Sequence, residues 1–246
     1  MNLGLIGKKY IDTILYTKSF ELGETNNISS KRSRLGGMYN IYNIEGIDPI
    51  YYPIGEKYAT IISEPRTRTS IVEDSNLNTV KSLDLGNLDL GLFGEGNEDW
   101  YHVMYIDDID FQIEKNDEPM SMDFCTTDSR SKYIDYINQS EFVFDSRERK
   151  KLYSDILTET PIILHDENGC ECIILGSVHF KSSVKPLKDI HVNGAGDIFA
   201  ATFIQEYLEN GLESATINSS KKTTKLLKGK IHEEKVYTNG HIYQQV

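Results

Sequence analysis

From about residue 100 the chain alternates short β-branched and aromatic runs with amphipathic stretches, and this alternation constrains its fold more than any other feature. The strand-like runs are residues 101–106, 120–124, 142–144 and 161–164, and residues 171–175 with 178–180 read as a hairpin. Between them, residues 129–138 put Tyr133, Ile134 and Ile137 on one helical face. Strands interleaved with helices predict an α/β protein whose helices cover the faces of a sheet. The first third is strand-like throughout, at residues 2–6, 12–17, 49–54, 58–63 and 69–73. Residues 83–97 are rich in Gly, Asn and Asp and read as a loop with room for one short strand.

The last third holds the clearest helix. Phe199, Phe203, Ile204, Tyr207 and Leu208 recur at helical spacing, and Asn210-Gly211 supplies a stop. A second helix is predicted over 214–228, ended by Gly229, with a terminal hairpin over 236–244. The first helix is entered through Gly194-Ala195-Gly196-Asp197. Small residues at a helix N-terminus let several backbone N–H groups converge on one anion, and the helix dipole adds to the attraction. Asp197 in the first turn has two readings, a cap or a general base beside a phosphate cradle.

Composition narrows the function classes. The 246 residues include 26 Lys and Arg against 38 Asp and Glu, a net charge of −12. Such a chain has no electrostatic footprint for duplex nucleic acid or an anionic membrane. No apolar run reaches the length of a membrane span, and the first residues read as a buried strand rather than a secretory signal. Three cysteines, Cys125, Cys170 and Cys172, cannot all pair with one another, so the expected compartment is the reducing cytoplasm. Cys170-x-Cys172 with His165 and Asp166 nearby has the residue types of a zinc site. The two thiols are expected on opposite sides of their strand, and the chain holds no second pair. His102 reads as a strand-end histidine with its needs met locally. Tyr39, Tyr42, Tyr51, Tyr52 and Tyr58 are expected in core or interface packing.

The order of motifs resembles the ribokinase-like (PfkB) carbohydrate kinases. Gly194-Ala195-Gly196-Asp197 with Ile198-Phe199 is similar to the family's C-terminal signature. Gly7 followed by Asp12 resembles its first strand and substrate-binding aspartate. Gly36-Gly37 with Asn40 resembles its Gly-Gly substrate loop. Ile54-Gly55-Glu56, residues 68–72, Ser121-Met122-Asp123 and residues 142–148 match further segments in the family's order, and Asn218 matches an asparagine that borders the nucleotide base. The resemblance spans residues 1–230.

It implies a single domain over 1–246: a three-layer α/β/α sandwich with a mostly parallel sheet and a small β lid drawn from about 12–34 and 58–73. It implies an ATP- and Mg²⁺-dependent kinase that phosphorylates a hydroxyl of a sugar or sugar derivative. Asp197 would be the base, and the amides of Gly194, Ala195 and Gly196 the anion hole. Asp12, Gly36, Gly37 and Asn40 would hold the substrate. Asn218, Gly194 and Gly196 would border the nucleotide, and Glu148 would help hold Mg²⁺ through water. A nucleoside kinase, or a non-catalytic sugar- or nucleotide-binding relic, is the alternative. A homodimer through the lid is expected.

The chain departs from the family at several points. The signature opens with His191-Val192 instead of Asp-Thr, and the N-x-x-E motif reads Asp145-Ser146-Arg147-Glu148. Leu164-His165-Asp166 stands for Thr-Leu-Gly, and residues 38–48 are too few for the usual helix after the Gly-Gly loop.

Overall fold

The computed structural model describes residues 1–64, 67–73, 82–84, 98–109, 112–114, 118–187 and 194–237. In chain order the elements are β1 (Asn2–Tyr16), β2 (Ser30–Gly37), β3 (Asp48–Glu64), β4 (Thr67–Glu73), β5 (Ser82–Asp84), β6 (Trp100–Val103), β7 (Gln112–Glu114), β8 (Met120–Asp123), α1 (Ile134–Gln139), β9 (Phe142–Ser146), β10 (Ile162–Asp166), β11 (Gly169–Ile174), β12 (Ser177–Ser183) and α2 (Ala195–Tyr237). Ten strands form one sheet in the order β12-β11-β10-β9-β8-β6-β1-β3-β4, with β2 also on β1. From β10 to β3 all neighbours are parallel. β2, β4, β11 and β12 pair antiparallel at the margins. β5 and β7 pair separately in a two-stranded sheet.

Both faces of the sheet are covered. On one, Leu3, Leu5, Trp100, Phe142, Phe144 and Ile163 pack against Phe199, Phe203 and Ile204 of α2. On the other, Val103, Met122, Val143 and Leu164 pack against Ile137 of α1 and Tyr153. The result is the three-layer α/β/α sandwich with a mostly parallel sheet. The 3₁₀ turn Arg130–Tyr133 and α1 occupy the stretch expected to be helical.

Two pairs of expected strands are single long strands. Residues 2–6 and 12–17 fall on β1, and 49–54 and 58–63 on β3. The intervening Gly7–Lys9 stays within β1, and the β1–β3 register shifts there, with Ile54 and Gly55 of β3 standing against Lys8. Lys9 is tied across it to Glu56, Nζ to Oε1 at 2.8 Å. The outer halves of β1 and β3 leave the sandwich together and take β2 and β4 as partners, making a four-stranded lid.

Gly211 does interrupt α2, at φ 82°. Gly229 does not end it; the helix continues to Tyr237, because a glycine that keeps helical angles weakens a helix by about 1 kcal/mol without stopping it. Val236 and Tyr237 of the expected terminal hairpin are therefore helical, and its remaining residues lie outside the described ones, as do His191, Val192 and Asn193. Of the expected 83–97 loop, Leu83 and Asp84 belong to β5, Glu98 onward is described, and 85–97 lie outside the described residues. Cys170 and Cys172 both face α2, not opposite sides, because residues two apart on a strand share a face. Of the five tyrosines, Tyr39 stacks on Tyr51 at 4.6 Å and Tyr52 is buried near Tyr101, while Tyr42 and Tyr58 are exposed. Among the described residues no helix is long and apolar enough to cross a membrane.

Candidate active site

The strand order reverses at β1: the chain moves one way to β3 and the other way through β6, β8, β9 and β10. Open α/β sheets bind ligands at the carboxyl ends of their strands beside such a switch point. Here that edge lies under the lid, with Tyr105, Asp123, Asp145 and His165 at the ends of β6, β8, β9 and β10 and the start of α2 beside them.

Asp197 is buried in the first turn of α2. Asn40 Nδ2 donates to its Oδ2 at 2.6 Å, and the Tyr105 hydroxyl donates to its Oδ1 at 2.8 Å. Asn40 ends a 3₁₀ turn, Met38–Asn40, that follows directly on Gly37. Its carbonyl accepts from Arg34 Nη2 at 3.0 Å, which fixes the amide with its N–H toward Asp197. Arg34 also lies 4.0 Å from Asp12, its cross-strand partner on the lid. Gly36 is next to both: a Cβ there would fall 2.1 Å from Asp12 Oδ2. The structure thus brings Asp12, Gly36, Gly37, Asn40, Gly194 and Asp197 together. Gly194 has φ +80°, and a side chain on it would strike Asn40 at 2.7 Å.

Tyr105 and Arg34 carry no spacing signal in the sequence. Tyr105 occupies the left-handed region, φ 59°. Its backbone N–H donates to Asp123, and its ring meets Tyr10 edge-on at 5.7 Å. Asp108, three residues on, accepts from the Tyr10 hydroxyl and from Lys57, and Lys8 lies 3.7 Å away. Burial and the Asp108 carboxylate push the Tyr10 phenol far above its ordinary range. Lid residues therefore clamp the turn that presents Tyr105.

The N-x-x-E counterpart divides into two parts. Asp145 is buried and fully engaged: Arg130 and Tyr153 donate to Oδ2, and Arg149 and the Ser146 N–H to Oδ1. It has no lone pair left for a metal. Glu148 is exposed in the 3₁₀ turn Arg147–Tyr153. Magnesium keeps most of its water and needs few protein carboxylates, so Glu148 fits a water-mediated role. Asn218 lies on α2 beyond the Gly211 interruption. Its amide donates to Glu206 and Ser214, and Glu206 lies nine residues beyond Asp197, about 14 Å along α2. His165 stacks on Phe199 at 4.5 Å, and its Cε1 lies 3.3 Å from where a Gly196 Cβ would stand. Burial, then the charges of Arg149 and Arg147, lower its pKa to about 4. His102 is buried with Nδ1 3.0 Å from Ser121 Oγ.

No family model matches the chain, and no curated protein does. Solved structures do match over nearly the whole fold. An adenosine kinase from Sinorhizobium meliloti aligns at TM-score 0.64 and 12% identity, covering 92% of this chain and 94% of its own. A nucleoside kinase from Burkholderia thailandensis, in complex with inosine, aligns at 0.63 and 13%, covering 89% of each chain. Ribokinase from Thermotoga maritima aligns at 0.58 and 15%, covering 90% and 91%. The fold is ribokinase-like.

Proposed function

We propose that this protein is a kinase of the ribokinase-like (PfkB) family that moves the γ-phosphoryl group of ATP onto a hydroxyl of a sugar or nucleoside. The observation that carries the reading is the convergence of Asp12, Gly36 and Asn40 from the first forty residues on Asp197 at the start of α2. In this reading Asp197 takes the proton of the acceptor hydroxyl as its oxygen bonds to phosphorus and the bond from phosphorus to the ADP oxygen breaks. When bound, magnesium ATP supplies that phosphoryl group and the ADP leaving group. The first N–H groups of α2, at Ala195, Gly196 and Asp197, lack intrahelical partners, and the Gly194–Gly196 amides receive the charge that develops on the moving group. Asp12 accepts from substrate hydroxyls, and Glu148 holds metal-bound water. Asn218 borders the nucleotide base while its amide nitrogen stays on Glu206 and Ser214.

The proposed acceptor class includes nucleosides because nucleoside and adenosine kinases stand beside ribokinase among the similar structures. A cytoplasmic homodimer fits the outer lid face, where Leu35, Tyr58 and Ile71 are exposed. Sedimentation as a monomer at high concentration removes the dimer. ATP consumption measured against a panel of sugars and nucleosides tests the activity. Turnover that disappears in Asp197→Asn supports the reading; no turnover with any acceptor leaves a non-catalytic binding protein.

A further inference from the structure

Arg147 follows β9 at the mouth of the crevice, and only part of its guanidinium is in use. Nη1 donates to both oxygens of Asp166 at 2.9 Å. Nε and Nη2 are buried and make no hydrogen bond among the described residues. Those two nitrogens form one edge of the fork, whose parallel N–H groups match two oxygens of a phosphate. Buried donors in native proteins are almost always paired, so an empty edge of this kind calls for an acceptor. Asp166 meanwhile orients the group without covering that edge.

The surroundings link the charge to the start of α2 through two neighbouring residues of β10. Asp166 follows His165 on β10, and His165 bridges to Phe199 and Gly196 in the first turn of α2. Burial is the main influence on both His165 and Cys170 and holds the Cys170 thiol up; beside it the Arg147 charge opposes protonation of His165 and partly offsets burial at Cys170, both on the α2 side of the sheet. The next residue, Glu148, is exposed at the same strand end.

We infer that Arg147 is a phosphate ligand, its Nε–Nη2 edge gripping the phosphate chain of a nucleoside di- or triphosphate whose terminal group lies at the Gly194–Gly196 loop. This rests on the kinase reading of that loop. Asp166 is a positioning residue that acts through Arg147.

Calorimetric titration of the whole protein with magnesium ADP, inorganic tripolyphosphate and adenosine tests the inference, in the wild type, Arg147→Met and Arg147→Lys. Arg147→Met is expected to weaken ADP and tripolyphosphate about 10- to 100-fold and to leave adenosine unchanged. Arg147→Lys keeps the charge and the ion pair with Asp166 but loses the fork, so it too should bind ADP at least about tenfold more weakly. It carries the test if the Met variant does not fold. ADP binding equal in wild type and variants means a structural ion pair only; that overturns the inference and leaves the kinase reading standing. Tripolyphosphate binding that needs Arg147, without ADP binding, upholds the phosphate site and removes the nucleotide. Binding of neither probe to the wild type removes both.

Discussion

Asn40 and Asp197 are 157 residues apart in sequence and 2.6 Å apart in space, amide nitrogen to carboxylate oxygen. The same amide carries Arg34 on its oxygen. The lid, the substrate loop and the start of α2 are therefore joined through one side chain. Displacement of any of the three is felt at the carboxylate that we assign as the base.

Replacing Asp197 by Asn separates a base from a cap. Asn also caps well, and its carbonyl can still accept from Asn40 while the Tyr105 hydroxyl turns to accept from its amide. The fold is expected to persist and magnesium ATP to bind as before. The proton of the acceptor has nowhere to go, so kcat should fall about 10²- to 10⁴-fold. Asp197→Ala instead leaves the Asn40 and Tyr105 donors facing nothing, at about 1–3 kcal/mol each. Near-normal turnover in Asp197→Asn, measured beside its thermal melting, would falsify the base assignment.

Gly36→Ala tests the lid. A Cβ at residue 36 stands 2.1 Å from Asp12 Oδ2, so the carboxylate must move. The expected result is a raised KM for the acceptor, by about tenfold if one charge-assisted hydrogen bond is lost, with the Kd for ADP unchanged. An unchanged acceptor KM, or equal losses for both ligands, counts against Asp12 as the substrate residue.

Much of this was legible because it depends on local chemistry. Small residues before an amphipathic run announce a helix start whatever surrounds them, so the Gly194–Asp197 loop could be read directly. The lid strands were legible as β-rich runs. Their continuity was not, because Gly7–Lys9 looks like a turn unless β3 is known to run beside it. Tyr105 was hidden for a different reason: its role comes from a left-handed backbone and a partner 92 residues away. Asn218 is legible only as a motif match, and its local hydrogen bonds, to Ser214 one turn back and to Glu206 across the kink, carry no spacing signal of their own.

Asp145→Asn restores the amide found in the family motif, yet it should destabilise this protein. Arg130, fully buried, and Arg149 both lean on the Asp145 carboxylate. Neutralising one side of a buried charge cluster costs about 3–5 kcal/mol, which the remaining Asp107 contact at 3.4 Å offsets only in part. Urea unfolding gives the number. A loss below about 1 kcal/mol would show that the arginines find other acceptors.

His165 gives the chain a pH dependence with a definite sign. Burial and the neighbouring arginines lower its pKa from 6.5 to about 4, so it stays neutral in the native state. The unfolded chain protonates near 6.5. Between about pH 6.5 and 4 the unfolded state therefore binds more protons than the native one, and stability falls as pH falls through that window. Above 6.5 the contribution is complete and flat. Other groups titrate there as well, so the measurement is a difference. Unfolding free energies of wild type and His165→Gln, compared from pH 7.5 to 4, isolate the imidazole. Glutamine also loses the stacking on Phe199, which shifts its whole curve down without changing the slope. The wild type should lose stability faster than the variant across the window. Parallel curves would mean that His165 takes up its proton in the folded protein as readily as in the unfolded chain, and that the arginines do not reach it.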